Sequence, residues 1–221
     1  MAGPRWPAIM TLNNTAALPR RGRMARWPGP KMQIGEAYRR LGPVSAVSLQ
    51  AALLEQDERT WLEDDSRQRN FEVHRQTESI ILLFCDGWPE ITVSRHTGWT
   101  RLAPLAEPLM DDIIARWYPQ GGRVIRAMAA RLQPGRRIDP HRDTHPSFEV
   151  SHRIHVPLQT GPGVRFTVDG KPCPMRVGEA IEINNQLTHS VVNLGREPRI
   201  TFIFDYLPPE HEPPAAAEAE R

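Results

Sequence analysis

From Arg123 onward the sequence breaks into short apolar runs separated by glycine and proline. The candidate strands are 124–132, 153–158, 164–168, 180–183, 190–193 and 199–206. Between them lie PGRR, TGPG, DGKP, VGE and LGREP, all sequences that favour tight turns. Short strands at close, regular spacing predict a sandwich or a barrel rather than a parallel sheet with crossover helices.

The segments before this point read differently. Residues 45–62 predict a helix, and 79–84 (SIILLF) a buried strand. A second helix is expected within 102–117, regular only from about Pro108, because prolines 104 and 108 oppose an earlier start. Leu105, Leu109, Ile113 and Trp117 recur every fourth residue and are expected to face the core. The expected architecture is α+β, mainly β: a double-stranded β-helix (a cupin-type jelly-roll barrel) with N-terminal helices bracing one outer face.

A chain of 221 residues suits one well-buried domain, here expected at 32–207 with the barrel core at about 120–207. Residues 1–31 carry five arginines and no acid, and residues 208–221 are rich in proline, alanine and glutamate. Both are expected to be disordered extensions. A basic start also suits a transit peptide, or a start read too far upstream, since Met24 and Met32 are alternative beginnings. No apolar run reaches the roughly 18 residues that a membrane-spanning helix needs. The net charge of +2 is spread along the chain, which gives nucleic-acid binding no support. Cys85 and Cys173 are far apart and form no CxxC pair, which fits a reducing, cytoplasmic setting.

The chemistry concentrates between 141 and 199. One residue separates His141 from Asp143, so at a strand end both project to one side. His189 follows just before a strand. Two imidazoles and one carboxylate on one face of a metal leave three coordination positions open, the facial triad of non-haem Fe(II) oxygenases. The bland alternative is a surface turn in which Asp143 caps a backbone N–H. Arg199, Thr201 and Ile203 share one face of the last strand. A guanidinium inside a barrel needs an anion, and a dicarboxylate such as 2-oxoglutarate supplies one in a two-point fork. On 153–158, Arg153 and His155 face the cavity if Ile154 and Val156 face the helices; otherwise they form the solvated face of an edge strand. The same residues also suit a non-catalytic cupin that binds a metal or small acid, or a zinc protein. The loop 144–151 is placed to close over the site. Trp88, Trp99 and Trp117 are candidates for a substrate mouth, with core packing as the default.

The ordered set of PHRD at 140–143, SHRIHVPL at 151–158, GEA at 178–180, THS at 188–190 and Arg199 resembles the aspartyl/asparaginyl β-hydroxylase family over about residues 120–207. The resemblance implies Fe(II) held by His141, Asp143 and His189, and 2-oxoglutarate and O₂ as co-substrates. It implies Arg199 on the distal carboxylate of 2-oxoglutarate, with Arg153 and His155 beside the metal. Asp143 places the chain with members that have the full triad, and argues against a halogenase. The implied activity is hydroxylation of an unactivated C–H of an amino acid or peptide side chain. A lipid acyl chain is the alternative substrate within the same chemistry.

Overall fold

The computed structural model describes residues 34–70 and 72–211. The expected basic extension at 1–31 and most of the expected tail lie outside these residues. The start of that tail is ordered: Pro209–His211 form a 3-10 turn in which His211 is buried.

Among the described residues eleven strands follow in chain order: β1 Tyr38–Pro43, β2 Glu78–Asp86, β3 Thr92–Arg95, β4 Arg123–Leu132, β5 Arg137–His141, β6 His152–Gln159, β7 Val164–Val168, β8 Lys171–Pro172, β9 Glu179–Ile183, β10 His189–Asn193 and β11 Arg199–Leu207. They form two antiparallel sheets. The larger runs β1-β9-β6-β11-β4-β2-β3, the smaller β5-β10-β7-β8. This is the jelly-roll architecture that the turn spacing predicts.

The larger sheet is covered on both faces. On one side Ile80, Leu82, Ala127, Ala129, Ile154, Val156, Phe202 and Phe204 pack against the helices. On the other, Leu132, Ile181 and Ile183 meet Phe166, Val168 and Val191 of the smaller sheet. Each large side chain buried this way contributes about 1.5–3 kcal/mol. Along β6 and β11 the period of two therefore sorts apolar residues to the helices and Arg153, His155, Arg199, Thr201 and Asp205 to the space between sheets. β6 lies between β9 and β11, so Arg153 and His155 are not on a solvated edge.

The helices are α1 Val47–Leu54, α2 Glu58–Leu62, α3 Ser66–Asn70 and α4 Thr97–Trp117. The single helix expected over 45–62 is split because Asp57 turns away from helical geometry and caps α2, accepting from the Thr60 N–H at 2.8 Å. α4 starts at Thr97, a full turn or more before the expected start, and carries Pro104 and Pro108 inside it on its exposed face. Its buried stripe is Leu102, Ala106, Leu109 and Ile113, while Trp117 is exposed. Strict fourth-residue spacing drifts around a helix of 3.6 residues per turn, and alternating steps of four and three follow one face. Among the described residues no helix is long and apolar enough to cross a membrane.

Candidate metal and co-substrate site

β5 and β10 pair so that His141 and His189 are direct cross-strand partners, with ring centroids 4.3 Å apart. Asp143 follows two residues after His141, where its N–H bonds the Asn185 carbonyl. The donor atoms of the three residues all lie within 4.8 Å of one another. Asp143 Oδ1 is 3.9 Å from His141 Nε2 and 4.0 Å from His189 Nε2.

Both imidazoles are oriented by the backbone. The Nδ1 of His141 donates to the Asp139 carbonyl at 2.8 Å, and the Nδ1 of His189 to the Leu187 carbonyl at 3.1 Å. A carbonyl only accepts, so each Nδ1 carries a proton and each Nε2 is the ring atom turned towards Asp143. Burial pushes the His189 pKa down and favours this neutral form. Burial acts on Asp143 in the opposite sense, but its charged surroundings, the Arg153 guanidinium foremost, outweigh it and hold the carboxylate below its ordinary pKa. Two imidazole nitrogens and one carboxylate oxygen on one side of a common point match the donor set of a divalent metal with open positions opposite. The donors stand wider than the roughly 3 Å edges implied by bonds of about 2.1 Å, so they draw together on binding.

Arg153 forks between two acids. Its guanidinium hydrogen-bonds Asp143, and its Nε lies 3.3 Å from Asp205 Oδ1. Asp205 also pairs with Arg126 at 3.6 Å.

Arg199 has no such partner. It is 3% exposed, its hydrogen bond is a long one of 3.6 Å to Met175 Sδ, and it lies over the Phe166 ring at 5.7 Å. Among the described residues no carboxylate pairs with it. Burial alone pulls its pKa down to about 10. On the same inner face, Thr201 Oγ1 and both ring nitrogens of His155 are buried without hydrogen-bond partners. Unsatisfied donors and a bare cation beside one another are costly unless an anion binds there.

Arg199, His155, Arg153, Asp143, His141 and His189 line one inner pocket, and on β11 Thr201 falls between the lining residues Arg199 and Ile203. The pocket shares Arg67, His74, His141, Asp143 and Arg153 with a larger outer cavity of about 670 Å³. The loop expected to close over the site lines the outer cavity through Thr144, His145, Pro146 and Phe148. Its 3-10 turn Pro146–Glu149 buries Ser147, and Phe148 sits under both Arg126, at 4.4 Å, and Arg153, at 4.7 Å.

The outer tryptophans do not line either space: Trp88 and Trp99 pack against apolar clusters. Cys173 is buried and its pKa is pushed up to about 12, which makes it a poor nucleophile. Sequence reasoning missed Arg67, His74, Arg126 and Asp205. Asp205 left a signal: it is the lone acid in the apolar run RITFIFDY, in step with Arg199 and Thr201. Arg67 left none.

Residues 51–209 match the aspartyl/asparaginyl β-hydroxylase family. No curated protein matches the chain. Among solved structures, EvdMO1 superposes with a TM-score of 0.51 at 17% identity, over 79% of this chain and 48% of that one. An oxidoreductase of the 2OG-Fe(II) oxygenase family from Burkholderia pseudomallei gives 0.46 at 15% identity, over 76% of this chain and 91% of that one. The viral collagen prolyl hydroxylase of Paramecium bursaria Chlorella virus-1 gives 0.45 at 12%, over 79% and 97%. The match over most of the chain, with a His-Asp-His cluster in a jelly roll, sets aside the non-catalytic reading: the chain belongs to the aspartyl/asparaginyl β-hydroxylase family and is an Fe(II)- and 2-oxoglutarate-dependent oxygenase.

Proposed function

We propose that this oxygenase hydroxylates an unactivated C–H of an amino acid or a peptide side chain. His141, Asp143 and His189 hold Fe(II), and Arg199 receives the distal carboxylate of 2-oxoglutarate. The bound metal supplies O₂ activation coupled to conversion of 2-oxoglutarate to succinate and CO₂.

The observation that carries the assignment is the buried, unpaired Arg199 on the same wall as two other unsatisfied groups. A carboxylate at the guanidinium gains a charge-assisted fork and removes the cost of the bare cation. Thr201 donates its hydroxyl to the same anion. His155, kept neutral by burial with its pKa well below the ordinary value, gives one N–H without adding charge. Arg153, held by Asp205, fixes the Asp143 carboxylate towards the histidines. The flexible thioether of Met175 lies against Arg199 and is the group suited to yield to a carboxylate.

The test is the visible spectrum of the metal-free protein reconstituted with Fe(II) and 2-oxoglutarate without oxygen. A charge-transfer band is expected in the wild type, absent in His189→Ala and weakened in Arg199→Ala. Tight metal binding with no band would overturn the co-substrate assignment; no metal binding would overturn the triad.

A further inference from the structure

Among the described residues, two buried cations line the inner pocket without an acidic partner, and 2-oxoglutarate accounts for one. Its distal carboxylate goes to Arg199, and the other end belongs at the metal. The second cation is Arg67, on α3, which lines both the inner pocket and the outer cavity. Arg67 is 8% exposed, and one end of its guanidinium contacts His74 Nε2 at 3.1 Å. Its other terminal nitrogen, Nη1, is buried with no hydrogen-bond partner, and among the described residues no carboxylate pairs with it. Burial and the neighbouring Arg153 pull its pKa down to about 10.

The His74 contact ties α3 to the turn Glu72–His74 but uses only one end of the guanidinium. Arg67 caps no helix and bridges no acid pair. Leaving a donor unmade in such a place costs stability, which is retained where a ligand completes it. Resting on the functional reading above, we propose that Arg67 is the specificity residue that anchors a carboxylate of the substrate, across the metal ligands from the Arg199 end. A carboxylate fits better than a phosphate. Only one end of Arg67 is free, and the adjacent Arg126 and Arg153 already face Asp205, so among the described residues no second buried, unpaired cation faces the outer cavity; Arg142 there is exposed and bonds the Thr188 hydroxyl. Arg67 thus selects molecules with a free carboxylate, at a fixed reach from the hydroxylated carbon.

The experiment uses the full chain loaded with Fe(II) and 2-oxoglutarate. The probes are L-proline, L-leucine and L-aspartate, each against its C-terminal amide, and N-acetyl-L-aspartate amide against N-acetyl-L-asparagine amide. Two readouts are taken: perturbation of the charge-transfer band without oxygen, and succinate release with it. At least one free acid is expected to act, with its amide partner weaker by about 30-fold or more. Arg67→Gln should raise the half-saturating concentration of that acid by about the same factor and bring acid and amide within about threefold. Arg67→Lys should restore part of the preference. The half-saturating concentration of 2-oxoglutarate should move less than about threefold in both variants.

Thermal unfolding of ligand-free Arg67→Gln separates this role from a structural one. It is expected at or above the wild-type temperature, because an unpaired buried charge has been removed. The inference is overturned by equal response to acid and amide in the wild type, by an acid preference that survives Arg67→Gln, or by no response to any probe while the band is present. Absence of the band in the wild type would overturn the functional reading itself, and this inference with it.

Discussion

Asp205 and Arg153 are direct cross-strand partners on β11 and β6, and the carboxylate of one lies 3.3 Å from the Nε of the other. The ion pair stands behind the metal-binding face, since the far side of Arg153 holds Asp143. Asp205 is fully buried, and burial keeps its pKa above the ordinary carboxylate value even between two arginines.

Asp205→Asn leaves Arg126 and Arg153 without their shared counter-charge. Breaking one partner out of a buried pair costs about 3–5 kcal/mol. Urea unfolding of the metal-free protein should show a loss of that order. A change below about 1 kcal/mol would mean that Asp205 is already neutral and contributes little to the pair.

Arg199→Met should behave in the opposite way. With no 2-oxoglutarate present, the variant removes an unpaired buried cation and should be as stable as the wild type or more so. Its affinity for 2-oxoglutarate should fall by about 30-fold or more. Titration of the charge-transfer band and thermal unfolding of the ligand-free protein check the two halves. Lower stability with unchanged affinity would show that Arg199 serves the fold instead.

Acid sensitivity is expected at Asp64. Burial raises its pKa, but the Ser66 hydroxyl at 2.5 Å, the Ser66 N–H and His96 at 2.8 Å outweigh it and leave the folded pKa below the ordinary value. A group depressed in the folded state stabilises fully above its unfolded pKa of about 3.9, and that contribution disappears as pH falls through the folded value. Asp64→Asn should therefore be less stable than the wild type at pH 7, and the gap should close below about pH 4. Urea unfolding at a series of pH values measures it; a gap independent of pH would assign the loss to packing.

Pro104 lies inside α4, where it supplies no N–H to the Thr100 carbonyl, and its side chain is on the exposed face. Pro104→Ala should restore that bond and raise stability by about 1–3 kcal/mol. A lower urea midpoint would show that the ring fills a contact which alanine cannot.

The parts of this molecule that could be read in the sequence are those where one strong rule acts alone. β6 and β11 lie inside the larger sheet, so strict alternation separates Ile154 and Val156 from Arg153 and His155, and Phe202 from Arg199 and Thr201. β5 does not show this, because RIDPH sits at the end of the smaller sheet and is mostly exposed. β1 and β3 are likewise at the ends of their sheet, and were not expected. The proline rule failed in α4 because packing of Leu102, Ala106 and Leu109 outweighs the missing bonds. Arg67 could not be found because SRQRN holds two arginines in one short polar helix, and only the tertiary fold buries Arg67 while its neighbour Arg69 stays exposed.

The two histidines of the metal cluster belong to the smaller sheet, on β5 and β10, whereas Arg153, His155, Arg199 and Thr201 belong to the larger one, on β6 and β11. In the function proposed above, a co-substrate with one end at the metal and the other at Arg199 would rivet the two layers together. Its binding should tighten the whole sandwich. It also divides the site between the layers, with Arg153 on β6 reaching Asp143 as the link between them.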